Sequence, residues 1–362
     1  MKVERYEIVK AIARSNGVVL KDRNFPILGC ILLADGSAIA SNTEITIEQK
    51  LGTQEGEGEI VLPMRAFDMI KNLPDGAIDI TQDESYRVTI RQGKVKSSFA
   101  SYPPQDFTLR KDRPIGDGTV LPGERLMAAL SKVIFAVDDQ SSKMPLRGVH
   151  IKASGMTLTV EATDGHILAR DQIKLDLMTH IDVIIPKMTV KKIISMDTAD
   201  DVRIIYDNTS CVFETDGYTI YSRLIDGQYA DLDRIFRMED KGSAMKIKGK
   251  ELEAALTRAT IANDSSDRQA LVMNVESCAV SFRLVSAMAD YDEDLNLNEC
   301  MMADFEVAMN PKIFLEATRG YGDREVCVSA TGERAPIFLS SDGEELRMIL
   351  LPVMVGVEKK SA

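Results

Sequence analysis

Three prolines constrain this chain more than any other feature. Each ends a short apolar run and opens a helix-like stretch: Pro63 in IVLPMRAFDMIKNL, Pro186 in VIIPKMTVKKIISM and Pro311 in VAMNPKIFLEATRG. They lie 123 and 125 residues apart. Proline suits the first helical position, where its missing N–H would have no partner anyway. A second set keeps step with the first: IVKAI from Ile8, LMAAL from Leu126 and LEAAL from Leu252, at offsets of 118 and 126 residues. Each places apolar residues at i, i+3 and i+4, one face of a helix. A third set, FPILGCILLADGSAI, MPLRGVHIKASGMTL and RQALVMNVESCAVSF, alternates on both sides of a short polar turn, as hairpins do. Asp-Gly pairs at 35–36, 216–217 and 342–343 mark further turns. At 362 residues the chain exceeds what one core usually holds. It reads as an α+β fold of three similar domains, 1–119, 120–241 and 242–362, each with two helices packed on antiparallel sheet.

The formal net charge is −12, which by itself argues against a nucleic-acid partner. Its distribution argues the other way. Helix windows 7–15, 64–73, 123–137, 187–196, 250–262 and 311–319 hold 13 Lys or Arg and 6 Asp or Glu, so the helices carry +7 and the remainder −19. If the helices share one side of the molecule, that side attracts phosphate without reading sequence, and the acidic remainder repels it. The candidate DNA-binding cations are Lys10, Arg14, Lys71, Arg125, Lys132, Lys187, Lys191, Lys192, Lys250 and Arg258. The plain alternative is that Lys and Arg favour exposed helix faces.

Other classes are disfavoured. No apolar run is long enough to cross a membrane, and the opening MKVERYEIVK lacks the apolar core of a signal peptide, so a cytoplasmic protein is expected. Cys30, Cys211, Cys278, Cys300 and Cys327 are scattered, with no C-x-x-C, and read as buried, reduced residues. There is no P-loop and no G-x-S-x-G elbow. Asp164 and His166 in ATDGHILA raise the question of a catalytic pair, but a turn accounts for the spacing as well. His150 and His180 have no acidic or Cys partner at ligand spacing, so no metal and no cofactor are expected.

FPILGCILL (25–33), VLPMRAFDMIKNLPDG (61–76), ATDGHILA (162–169), VIIPK (183–187), RLIDGQYADLDRI (223–235), the Asn310 stretch and MILLPVM (348–354), in this order and spacing, resemble the bacterial DNA polymerase III β-subunit family of sliding clamps. The resemblance covers essentially the whole chain. It implies a non-catalytic homodimeric ring of three-domain chains that encircles duplex DNA. The ring would tether the replicative DNA polymerase and other proteins with clamp-binding motifs, and an ATP-dependent clamp loader would open it. The alternative is a clamp-fold scaffold that binds partner peptides without encircling DNA. For the partner-peptide pocket the resemblance implies Leu146, Thr163, Gly165, His166, Leu168, Arg234, Ile235, Asn310, Ile349, Leu351, Pro352, Val353 and Met354. For the seam between copies it implies Phe107, Leu109 and Ile261. Arg23 stands one position from a DNA-contacting arginine of relatives, with Asp22 in its place. Two further departures touch the pocket: Ile167 replaces the usual Arg and is expected to add apolar area, and Ala230 replaces a proline.

Overall fold

The structure, a computed structural model, describes residues 1–353 except 53, 57, 108, 110–112, 117, 197–198, 240–243, 264–268, 286–288, 331 and 333. Its helices are α1 (Arg5–Ser15), α2 (Met64–Lys71), α3 (Gly123–Val133), α4 (Lys187–Ile194), the four-residue α5 (Asp233–Phe236), α6 (Gly249–Ala262) and α7 (Pro311–Arg319). The repeated apolar triplets are their buried stripes. Ile8, Ala11 and Ile12, then Leu126, Ala129 and Leu130, then Leu252, Ala255 and Leu256 are all buried. Each Leu or Ile so placed contributes about 1.5–3 kcal/mol. The prolines divide. Pro63 and Pro186 close their strands with extended backbone and stand just before α2 and α4. Only Pro311 takes the first helical position, because Asn310 ahead of it serves as the cap, accepting from the Lys312 N–H at 3.0 Å.

The chain groups into two compact units, Met1–Ala128 with Ile185–Asp226, and Ala129–Ile184 with Gly227–Ala362. Each unit joins strands of two repeats, and strand pairing is the reason. In the first unit an eight-stranded sheet runs Thr119–Leu121, Val202–Tyr206, Ser210–Glu214, Tyr218–Arg223, Ile45–Lys50, Ser37–Ser41, Cys30–Ala34, Ile60–Pro63. Its central joint pairs Ile220 with Ile47, so strands of the second repeat complete a sheet begun by the first. In the second unit a seven-stranded sheet runs Gly148–Thr163, Ile167–Pro186, Arg347–Leu350, Ile337–Ser340, Glu325–Ser329, Ala244–Lys248, Glu299–Cys300. There Leu168 pairs with Ile349, joining the second repeat to the third. A five-stranded sheet ending in Val95–Ala100 completes the first unit, and a four-stranded sheet ending in Asp290–Asp294 completes the second.

Asp35 and Gly36 both have positive φ, 49° and 72°, as the two-residue turn between Cys30–Ala34 and Ser37–Ser41 requires. Gly148–Thr163 is extended throughout, and 11 residues of straight strand would span about 36 Å. Yet His150 Nδ1 lies 2.8 Å from Glu161 Oε1, so the segment folds back on itself near Gly155, whose φ is +99°. The expected hairpin is therefore present. Cys30 and Cys211 are buried, but Cys278 is exposed and Cys300 and Cys327 are half-buried, which corrects the expectation of five buried thiols. Cys278 sits in a strand-to-strand turn, where side chains face outward. No described helix is long and apolar enough to cross a membrane.

Candidate functional site

The ATDGH segment is a turn stitched by its own side chains. Asp164 Oδ1 accepts from the N–H groups of His166 (2.7 Å) and Ile167 (2.8 Å), and Thr163 Oγ1 accepts from the Gly165 N–H (3.0 Å). Gly165 takes φ +93°, a backbone that L side chains rarely adopt. Asp164 therefore shapes the turn and makes no relay with the His166 ring. The His166 carbonyl accepts from the Leu351 N–H at 2.8 Å, which fixes the end of the last strand beside the turn. Next to it lies a cavity of about 540 Å³, lined by Lys143, Pro145, Leu146, Thr163, Gly165, Leu168, Gln228, Ala230, Leu232, Ile235 and Leu351. Most of these are apolar, with a few polar groups to orient an occupant, the make-up of a ligand or peptide site.

Of the pocket residues named from the sequence, Leu146, Thr163, Gly165, Leu168, Ile235 and Leu351 line this cavity. His166 and Arg234 are exposed neighbours on the turn and on α5. Ile349 is buried opposite Leu168 on the same face of the sheet, supporting the floor without lining it. Asn310 spends its side-chain oxygen capping α7. Pro352 is half-buried, Val353 is exposed and donates its N–H to the Ala308 carbonyl at 2.8 Å, and Met354 lies outside the described residues. Ile167 does not enlarge the pocket. It pairs with Leu350 and is buried on the other face of the strand, because neighbouring strand residues point to opposite faces. Ala230 does line the cavity, with Pro145, Gln228, Leu232 and Lys143, which the sequence had not singled out.

A charged cluster adjoins the pocket in the same unit. Glu161 is fully buried. Its carboxylate accepts from Arg170 Nε at 2.8 Å and meets His150 Nδ1, while His150 Nε2 lies 2.9 Å from Asp182 Oδ1. His150 thus has two acidic partners, contrary to the sequence expectation, because hairpin folding brings together residues 11 and 32 positions apart. Among the described residues no such group is arranged to hold a metal ion. Arg170 also reaches Asp233 Oδ1 at 2.7 Å, and its guanidinium lies 4.3 Å from the centre of the Phe236 ring. His150 stacks on Tyr229 at 4.7 Å. Burial pushes the Glu161 carboxyl up, but the His150 hydrogen bond and the charges of Arg170 and Lys152 outweigh it and hold the group below its ordinary value. Asp233 is lowered in the same way: burial opposes, and Arg170 and Lys152 prevail. Glu161, Arg170 and Asp233 were missed in the sequence. The available signal was a Glu two places before Thr163 and an Arg two places after Leu168, facing inward on strands.

The candidate cations fall into two groups. In the first unit Lys10, Arg23, Lys71, Arg125 and Lys191 are exposed and Lys187 is half-buried. Arg14 lies over the Tyr218 ring at 4.9 Å and donates to Gln49 and to the Met196 carbonyl. Lys192 is buried and donates to the Arg14 carbonyl at 3.1 Å and to that of Asn16, closing the C-terminal end of α1. Burial, helped by the neighbouring Lys191 charge, lowers its pKa. In the second unit Lys132 pairs with Asp171 at 3.0 Å, Lys250 with Asp323 at 2.7 Å, and Arg258 holds Glu293 with two nitrogens. Of the seam residues, Phe107 is only 8% exposed, in a core cluster with Cys30, Leu32, Ala34, Ile39 and Val61. Leu109 and Ile261 are 40% and 80% exposed.

Comparison with known proteins identifies the family and the fold. The N-terminal domain of the DNA polymerase III beta subunit matches residues 1–110, and its central domain matches residues 120–231. The beta sliding clamp of Staphylococcus epidermidis is 24% identical over 333 residues, covering 89% of this chain and 88% of its own. A putative DNA polymerase III beta subunit from Eubacterium rectale superposes with a TM-score of 0.89 at 25% identity, over 97% of this chain and 98% of that one. The beta subunit from Streptococcus pyogenes superposes with a TM-score of 0.90 at 21% identity, over 98% of this chain and 99% of that one. The chain therefore belongs to the DNA polymerase III beta subunit family, the beta sliding clamps, and has their α+β clamp fold.

Proposed function

We propose that this chain is a sliding clamp of the cytoplasm: two copies, each of three domains, close around duplex DNA and tether the replicative polymerase as a processivity factor. The family is non-catalytic, so the work is holding. One observation carries the reading. Leu146, Thr163, Leu168, Ile235 and Leu351, from four separate segments, converge on one apolar cavity suited to a short linear motif of a polymerase or another partner. Ring closure draws support from two sheet edges. Val95–Ala100 ends one sheet beside Lys94 and Lys96, and Asp290–Asp294 ends another with Asp290, Asp292 and Asp294. Edges of opposite charge suit strand pairing between copies, with exposed Leu109 and Ile261 nearby in sequence or on the same unit. Exposed Lys10, Lys71 and Lys191 are cations for sequence-independent phosphate contact. A closed ring needs an ATP-dependent loader to open it.

Negative-stain electron microscopy of the purified protein tests this. The expected image is a closed, roughly six-lobed ring with a stain-filled hole. Compact particles without a hole would overturn encirclement. They would favour a clamp-fold scaffold that binds partner peptides alone, a reading helped by one observation: Arg14, Lys132, Lys192 and Arg258 are engaged internally. On circular DNA, Lys191→Glu should shorten retention and reduce the log–log salt slope by about 0.9 for each phosphate it leaves without a cation.

A further inference from the structure

The pocket wall Gln228–Ile235 has little regular support. Among the described residues no sheet strand pairs with segment 224–232. Side chains hold it instead. The two strands that form the pocket floor alternate, so Glu161 shares a face with Thr163, and Arg170 shares a face with Leu168. Glu161 and Arg170 thus continue the pocket surface one step along the sheet, beneath α5. The buried Glu161 carboxylate accepts from Arg170 Nε at 2.8 Å, which fixes the plane of the guanidinium. From that plane Nη1 meets Asp233 at the start of α5, 2.7 Å away, and the guanidinium covers Phe236 at its end. One side chain therefore ties the sheet to both ends of the helix that carries Ile235. Burying charge here is expensive, and an apolar pair could fill the same volume at no loss of stability. What an arginine fork adds is fixed geometry.

We propose that Arg170, oriented by Glu161, is the positioning residue of the pocket, holding Leu232 and Ile235 at the distance from Leu168 that a partner's apolar side chains require. The proposal rests on the peptide-pocket reading above. Without the tie the wall samples other positions. A wall competent for about one tenth of the time raises the apparent Kd about tenfold.

The test is fluorescence anisotropy with a synthetic fluorescein-labelled peptide carrying adjacent leucine and phenylalanine, with thermal unfolding in parallel. Wild type should bind, Arg170→Met should weaken binding about tenfold, and Arg170→Lys, which keeps charge without the fork, should fall between. Tyr321→Phe is the control for general destabilisation. It removes a buried O–H bond to the Leu339 carbonyl (2.7 Å) in the same unit, and should lower Tm while leaving Kd within about twofold. If Arg170→Met does not fold, Asp233→Asn decides, because Asp233 is partly exposed and its loss removes the 2.7 Å Arg170 contact, with a longer one to Lys152 at 3.7 Å, and leaves the Glu161–Arg170 pair intact. It should weaken binding several-fold with Tm nearly unchanged. Failure of the wild type to bind would sink the pocket reading itself. Wild-type binding with Arg170→Met or Asp233→Asn within about twofold would overturn the positioning role alone, as would an equal loss in Tyr321→Phe.

Discussion

Two turns in this chain are built alike and flank different interiors. In the first unit Asn42 Oδ1 accepts from the N–H groups of Glu44 (2.8 Å) and Ile45 (2.9 Å), and the Glu44 carbonyl accepts from the Arg223 N–H at 3.1 Å. In the second unit Asp164 does the same for His166 and Ile167, and the His166 carbonyl accepts from the Leu351 N–H. Each turn marks a joint where strands of one repeat complete the sheet of another. The segments leading out of the two repeats differ. After the first repeat, Phe107 is driven into Cys30, Leu32 and Val61, with Tyr102 and Ile27 packed alongside. At the matching place after the second, Tyr229 and Leu232 are buried, but Ala230 and Ile235 leave a cavity open beside Leu168. The repeat sets the backbone joint; side-chain volume decides whether the place beside it is core or site.

The largest expected effect separates core from site directly. Phe107→Ala should destabilise the protein by about 3–5 kcal/mol in urea unfolding, the usual loss for a buried aromatic. Ile235→Ala, half-buried on the cavity wall, should cost only about 1–2 kcal/mol while weakening peptide binding. Equal losses would erase the contrast. Acid gives the next effect. Glu161 titrates below its ordinary value in the folded protein, so as pH falls past about 4.3 the unfolded chain takes up this proton first. The stabilisation is therefore complete above that region and is lost as pH falls through the folded value. A urea midpoint that falls more steeply with acid in wild type than in Glu161→Gln would bear this out, and parallel curves would refute it. The buried charge of the first unit acts at the other end of the scale. The lowered pKa of Lys192 means that the folded protein sheds this proton first as pH rises, so its effect lies in alkali.

Much of this was legible in the sequence, for physical reasons that particular residues expose. The stripe Leu252, Ala255, Leu256 shows at a 3.6-residue period and needs no partner to be recognised. The pocket came through its resemblance, since Leu146 and Leu351 are 205 residues apart and nothing local joins them. Lys191 and Lys192 look identical in composition. Yet Thr189, Val190 and Ile193 are all buried on α4, and Lys192, three places after Thr189, shares that side of the helix and points to the end of α1, while Lys191 lies opposite. Ile167 was misread although the signal was present: if Leu168 faces the pocket, strand alternation turns its neighbour away. The partners of His150 were out of reach, because the fold-back of Gly148–Thr163 that delivers Glu161 is a tertiary outcome.

The smallest expected effect bears on the twin turns themselves. Asn42→Ala and Asp164→Ala each leave two backbone N–H groups without their side-chain acceptor, and each should cost about 1 kcal/mol. Stability alone should not tell them apart. Peptide affinity should, because Gly165 and Leu168 line the cavity on either side of the His166–Leu351 tether, while the Asn42 turn belongs to the other unit. Asp164→Asn keeps the oxygen that accepts both bonds and should restore affinity, which excludes charge as the cause. Asn42→Ala weakening the peptide as much as Asp164→Ala would show that the two joints are not independent. Two like turns would then be one mechanical element, and the cavity would owe its shape to the repeat as well as to the side chains beside it.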